Sequence, residues 1–225
     1  MLEERHLKVF RYSDEYRSTS DQNTNPYTFP PFQKTTTTSV PTTTTTSSCS
    51  TPPDVFIVLD ATSSVRDEYE RHLSFAATVA EALSAGQQLG VLIYSSPRRH
   101  FVKVPFKEHA DRGRLVDKIR GLSFLGGVTA TGEALSFVAD TVVGEAVASR
   151  RLALAVVTDG FSMDRVVEPV VRLTRRSGLK LYAVGLGDSL NEAVLQEIAS
   201  NDEEALLIGS ADAMARRFLD LISRC

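Results

Sequence analysis

The sequence predicts a doubly wound α/β domain, a mostly parallel six-stranded sheet flanked by helices, behind a disordered tail. Three observations carry this reading. From residue 54 onward, short unbroken apolar runs alternate with longer stretches of helical periodicity, the pattern of repeated strand–helix units. Two of those runs end in an aspartate, Asp60 after VFIVL and Asp159 after LALAVVT, and the carboxyl ends of strands are where such sheets bind ligands. Residues 1–53 have a different composition altogether.

Taken in order, residues 1–53 are polar, with Pro26, Pro30, Pro31 and Pro41 and threonine runs at 35–38 and 42–46. Such a stretch buries too little apolar surface to offset its ordering entropy. It reads as a disordered Thr/Ser/Pro-rich tail or stalk, either O-glycosylated or a plain linker. Residues 55–59 form the first strand, apolar at every position and so buried on both faces. Residues 66–85 form a helix with Tyr69, Leu73, Ala76, Ala80 and Leu83 on one face. Residues 89–94 form the second strand. The third, 100–104, follows a short turn and is expected antiparallel to its neighbour. A short helix spans 110–119, a glycine loop 121–127, and a helix 131–144. The fourth strand is 152–157. Residues 165–177 form a helix that Pro169 kinks unless the helix begins late. The fifth strand is 180–184. Ser189 is expected to cap the helix 190–199, with Glu192 completing a capping box. An edge strand at 206–208 and a helix capped by Ser210 end the chain.

In a sheet of order 3-2-1-4-5-6 the first and fourth strands are neighbours, and Asp60 and Asp159 meet where strand order reverses. Thr62 and Ser64 follow Asp60 at alternate positions, and the loop GGVTATG between the two strands supplies Thr129. A buried carboxylate beside hydroxyls is costly without a partner, and a hard divalent cation takes oxygen ligands.

Composition excludes several classes. A net charge of -3 and a pI near 5.8 give no electrostatic footprint for nucleic acid or anionic membrane. No apolar run reaches the roughly eighteen residues of a membrane span. There is no G-x-S-x-G elbow and no G-x-x-x-x-G-K-[ST] loop. His6, His72, His100 and His109 lack metal-ligand spacing.

Asp60-x-Thr62-x-Ser64, Thr129 in GGVTATGEAL and Asp159 in VVTDG resemble the metal-ion-dependent adhesion site of von Willebrand factor type A domains and integrin inserted domains. The family's first motif is D-x-S-x-S, so Thr62 keeps the hydroxyl and adds a methyl. Val128 is interposed in a loop that usually reads G-G-T-x-T-G. The resemblance covers residues 53–225. It implies a Rossmann-like domain with Asp60, Thr62, Ser64, Thr129 and Asp159 around Mg²⁺ (or Mn²⁺). One open coordination position then takes a Glu or Asp from a protein partner, possibly of the extracellular matrix, and no bond is broken. A type A domain that binds partners without metal is the alternative. The rim of the site would be Ser63, Val65, Arg66 and Asp67 after the first motif, Val128 and Ala130 in the glycine loop, and Phe161, Ser162 and Met163 after Asp159. Phe161 and Met163 could equally fold back onto the core.

The rival class is enzymatic. Haloacid-dehalogenase-like phosphatases also place an Asp after the first strand, as D-x-D, but residue 62 here is Thr, which cannot serve as the general acid. Cys49 and Cys225 bracket the domain. Domain ends often lie close together, so the two could bridge or remain free thiols. Extracellular type A domains frequently carry such a bridge, and it would stabilise by about 4–5 kcal/mol on the chain-entropy argument. The expected location is extracellular. The first sixteen residues carry charges where a signal peptide has its apolar segment, so that expectation needs a leader absent from this sequence.

Overall fold

A computed structural model describes residues 51–143 and 150–224. Residues 1–50 of the expected tail at 1–53, and Cys49 and Cys225 with their expected disulfide, lie outside the described residues. The sheet contains β1 (Asp54–Asp60), β2 (Gln88–Tyr94), β3 (His100–Glu108), β4 (Leu152–Thr158), β5 (Leu179–Gly185) and β6 (Leu206–Ile208). Its order is β3-β2-β1-β4-β5-β6, with only the β2–β3 pair antiparallel. This is the expected topology.

β1 and β4 are buried at every residue, which is why their sequences run apolar without alternation. β3 is an edge strand and alternates toward polar residues, with Lys103, Pro105 and Lys107 along it. Those residues discourage pairing with another strand. Gly90 sits on β2 beside Phe56 of β1. A β-carbon there would stand 2.5 Å from the Phe56 ring, so the ring occupies the space that glycine leaves.

The helices are α1 (Tyr69–Ala82), α2 (Arg112–Arg120), α3 (Thr131–Phe137), α4 (Val167–Thr174), α5 (Glu192–Ile198) and α6 (Ala211–Ser223). α1 packs against α2 and α6, while α4 packs against α3 and α5, giving the two helical layers. Phe218 of α6 is the joint between its layer and the sheet. It meets Phe75 of α1 at 5.9 Å and Tyr182 of β5 edge-on at 5.0 Å.

Several boundaries differ from expectation for identifiable reasons. The first helix opens as a 3-10 segment, Ser63–Glu68, broken by non-helical Val65, and becomes α-helical only at Tyr69. Residues 131–142 form α3 followed by a π turn at Val138–Val142, where the Thr141 hydroxyl donates to the Phe137 carbonyl at 2.6 Å. α4 begins at Val167. Pro169 therefore lies in its first turn, where a missing N–H costs nothing. The cap of α5 is Asn191, whose side chain accepts from Val194 N–H, and not Ser189. Ser210 stands at the N-cap of α6 without a side-chain cap bond. Among the described residues no helix is long and apolar enough to cross a membrane.

Candidate metal centre

At the carboxyl edge of β1 and β4, hydrogen bonds link Asp60, Thr62, Ser64 and Thr129. Asp60 ends β1 with no exposed surface, and Asp159 follows β4 with 5% of its surface exposed. Asp60 Oδ1 accepts the Thr62 N–H at 3.0 Å, an Asx turn that swings the chain out of the sheet. Asp60 Oδ2 accepts two hydroxyls, Thr158 at 2.8 Å and Tyr94 at 3.2 Å. The Tyr94 hydroxyl also meets Thr131 Oγ1 at 2.9 Å.

Three further hydroxyls close a triangle above Asp60. Thr129 Oγ1 donates to Thr62 Oγ1 at 2.9 Å, Thr62 Oγ1 and Ser64 Oγ lie 3.0 Å apart, and Ser64 Oγ and Thr129 Oγ1 lie 3.4 Å apart. Each hydroxyl has one hydrogen and two lone pairs, so the triangle has acceptor capacity left over. Asp159 Oδ1 accepts the Phe161 N–H at 2.9 Å, and its backbone carbonyl accepts the Asn191 N–H at 2.8 Å.

The loops bearing these groups are stitched together by backbone. Ser63 and Gly127 exchange two bonds, Ser63 N–H to Gly127 O at 2.9 Å and Gly127 N–H to Ser63 Oγ at 3.0 Å. Gly126 N–H donates to Ala61 O, and Met163 N–H donates to Thr129 O, each at 2.9 Å. Gly127 has φ +95°, and a β-carbon there would fall 2.3 Å from Ser96 Oγ. Both the conformation and the close approach require glycine. Asp164 completes the scaffold by accepting Gly132 N–H at 2.9 Å and Glu133 N–H at 2.7 Å at the start of α3.

Burial pushes the Asp60 carboxyl up to about 6, opposed by the Thr62 and Thr158 hydrogen bonds and reinforced by the charge of Asp159. Among the described residues neither Asp60 nor Asp159 forms an ion pair. No group of three or more His, Cys, Asp or Glu placed to hold a metal ion exists among them either. The donor set is thus oxygen only, rich in hydroxyls and poor in formal charge, with a buried carboxylate that no cationic side chain neutralises. Such a set fits a hard divalent cation and not a soft one.

Thr158, Tyr94 and the bond made by Thr131 have no counterpart in the sequence reading. Tyr94 stands opposite Asp60 in the β1–β2 register, a pairing that its place at the end of an apolar run does not announce. His72 is one of the histidines that lack metal-ligand spacing. It is fully buried, and its Nδ1 lies 3.1 Å from the Asp60 carbonyl. At the rim, Ser63 and Arg66 are exposed, as are Val128, Phe161 and Met163, the last at 65%. Val65 and Ala130 are buried and leave the rim. Val65 turns inward at the kink of the 3-10 segment, and Ala130 is held by its N–H on Ser95 O at 3.1 Å.

A von Willebrand factor type A domain profile matches residues 54–220. The chain is similar to human matrilin-1, 31% identical over 163 residues, which is 68% of this chain and 32% of that protein. It is 32% identical over 157 residues to the mouse collagen alpha-5(VI) chain, covering 67% of this chain and 6% of that one. The chain therefore spans about a third of the length of matrilin-1 and far less of the collagen. Among solved structures, proximal thread matrix protein 1 from the mussel byssus, described with a zinc occupied MIDAS motif, shares the fold. Its TM-score is 0.63 at 20% identity, over 76% of this chain and 44% of that one.

Proposed function

The chain belongs to the von Willebrand factor type A domain family, and from that premise we propose a non-enzymatic, metal-dependent protein-binding domain. The observation that carries the proposal is the hydroxyl triangle of Thr62, Ser64 and Thr129 closing over the buried, unneutralised Asp60. Asp60, Thr62, Ser64, Thr129 and Asp159 would hold Mg²⁺ or Mn²⁺. When bound, the ion supplies a Lewis-acidic position for a Glu or Asp carboxylate of a partner protein. The chain's residues do the rest. Thr158 and Tyr94 hold Asp60 Oδ2 from behind, the Thr62 N–H fixes Oδ1, and the Phe161 N–H fixes Asp159. The Ser63–Gly127 pair locks the two hydroxyl-bearing loops in register. Hydrolysis of a phosphate ester would need a general acid at residue 62, and threonine supplies none.

Matrix proteins among the relatives, and a stalk-like tail, support an extracellular location and an extracellular matrix partner. A Cys49–Cys225 bridge belongs to the same reading. Calorimetric titration with Mg²⁺ and Mn²⁺ tests the site: heat is expected from the wild type and none from Asp159→Ala. Silence in both overturns it. The second reading, a metal-independent type A module, is favoured by one observation, that the three hydroxyls already satisfy one another. Partner binding undiminished by EDTA would establish that reading.

A further inference from the structure

Resting on the metal-ligation reading, we propose that the partner segment is an acidic peptide in which the ligating carboxylate is flanked by further carboxylates, read by Arg66 and Arg99. Both side chains are exposed, and among the described residues neither is in a salt bridge. They bracket the same glycine loop. The Arg66 guanidinium lies over the Phe124 ring at 5.0 Å, and the Phe124 ring edge is 3.5 Å from where a β-carbon of Gly126 would stand. A guanidinium nitrogen of Arg99 is 3.8 Å from the equivalent point at Gly127. Gly127 in turn bonds Ser63, next to Ser64 of the hydroxyl triangle.

Two exposed cations thus stand beside the two glycines of the loop that bonds Ser63. Arg66 is held by its ring contact, and a guanidinium over an aromatic face gives up less rotamer freedom when it binds a carboxylate. Arg99 closes the β2–β3 turn, where its N–H donates to Ser96 O and its carbonyl accepts Ser95 N–H, each at 2.9 Å. Next to Arg99, the Arg98 backbone N–H donates to Glu133 Oε1 at 2.7 Å. Asp67, exposed beside Arg66, is the acidic side chain that opposes the preference.

A sulfated polysaccharide would also satisfy two arginines. The exposed apolar side chains of Val128, Phe161 and Met163 favour a peptide. Val128 and Met163 in particular suit the aliphatic side chains of a peptide better than a heavily charged sugar.

The test uses the full chain and two synthetic peptides of equal length. One carries a central Glu between two Asp, and the other carries the same Glu between two Asn. In excess Mg²⁺ and low salt the Asp peptide should bind about five- to tenfold tighter, the sum of two exposed charge pairs. The ratio should shrink as salt shortens the Debye length to about 8 Å near 0.15 M. In Arg66→Gln/Arg99→Gln the ratio should fall to one while the Asn peptide still binds and is released by EDTA. In Asp67→Asn it should grow. Equal affinities in the wild type, or an unchanged ratio in the double variant, overturn the proposal. Tighter binding of a heparin oligosaccharide than of the Asp peptide also overturns it. Acid preference that persists undiminished in EDTA supports the arginine pair and overturns metal ligation instead.

Discussion

The Thr158 hydroxyl donates to Asp60 Oδ2 at 2.8 Å, across the seam where β1 meets β4. It also accepts the Gly160 N–H at 3.1 Å, so one hydroxyl ties the carboxylate of β1 to the turn after β4. Thr158→Val keeps the shape and removes both bonds. It leaves a buried N–H unpaired and a buried carboxylate short of a donor, which costs about 1–3 kcal/mol. A donor to a carboxylate favours its charged form. Mg²⁺ affinity at neutral pH should therefore weaken as well, by about three- to tenfold, since hydrogen bonds to charged groups are worth about 1.5–3 kcal/mol and Tyr94 still holds Oδ2. Denaturant melts measure the first effect and calorimetry the second. Loss of stability with unchanged affinity would make Thr158 purely structural.

Tyr94→Phe removes the other donor on Oδ2 and orphans Thr131 Oγ1. No cavity forms, because the ring stays. The expected loss is about 1–2 kcal/mol. In Thr131→Val the Tyr94 hydroxyl keeps Asp60 as its partner, so that change should cost less. Equal losses in urea melts would show that the phenol serves Thr131 and not Asp60.

These two positions mark what was and was not legible in the chain. The six strands and their order could be read because buried parallel strands announce themselves as unbroken apolar runs, as at Val55–Leu59 within β1. The convergence of Asp60, Thr62, Ser64 and Thr129 could be read because strand order alone brings their loops to one edge. Thr158 and Tyr94 could not, because each sits inside or at the end of an apolar strand and looks like β-propensity. Only the register places Tyr94 beside Asp60. The true cap of α5 escaped for a related reason. Ser189 and Asn191 are both good cap residues, and the choice is made by the Asn191 N–H bond to Asp159 O, a long-range contact.

Gly127→Ala should disrupt the site from a distance. Its φ of +95° is unfavourable for alanine, and the new methyl would meet Ser96 Oγ. Ser96 Oγ accepts the Val128 N–H at 3.2 Å, so relieving the clash moves the segment that leads to Thr129. The expected cost is about 1–3 kcal/mol, with loss of the calorimetric Mg²⁺ signal. Gly86→Ala is the control. It shares a positive φ of +81° but has open space around it, so it should destabilise and still bind metal.

Mg²⁺ should raise the stability of the folded chain by mass action. At a hundredfold excess over Kd the gain is about 2.7 kcal/mol. Thermal melts with Mg²⁺ and with EDTA should separate for the wild type and coincide for Asp159→Asn. A wild-type melting temperature indifferent to Mg²⁺ would sink the metal site.

Asp60 and His72 titrate in opposition. Burial lifts the Asp60 carboxyl from 3.8 to about 6. Burial also presses the His72 imidazole from 6.5 to about 4, against its bond to the Asp60 carbonyl. With a raised pKa, the folded Asp60 binds its proton more tightly than the unfolded chain does. Its contribution is fully present below 3.8 and is lost as pH rises through about 6. The depressed His72 does the reverse: its contribution is present above 6.5 and is lost as pH falls toward about 4. Each shift, somewhat over two units, corresponds to about 3 kcal/mol, so the two nearly cancel across the acid range in the metal-free chain. Asp60→Asn removes one side of the balance. In EDTA it should exceed the wild type in stability near pH 7, by up to about 3 kcal/mol, and lose that advantage on acidification to pH 4. Urea melts of the two chains at matched pH measure the difference, in which every other titrating group drops out. A difference that stays constant across the range would mean that Asp60 ionises at its ordinary value, and that the buried carboxylate has no unmet need for a cation.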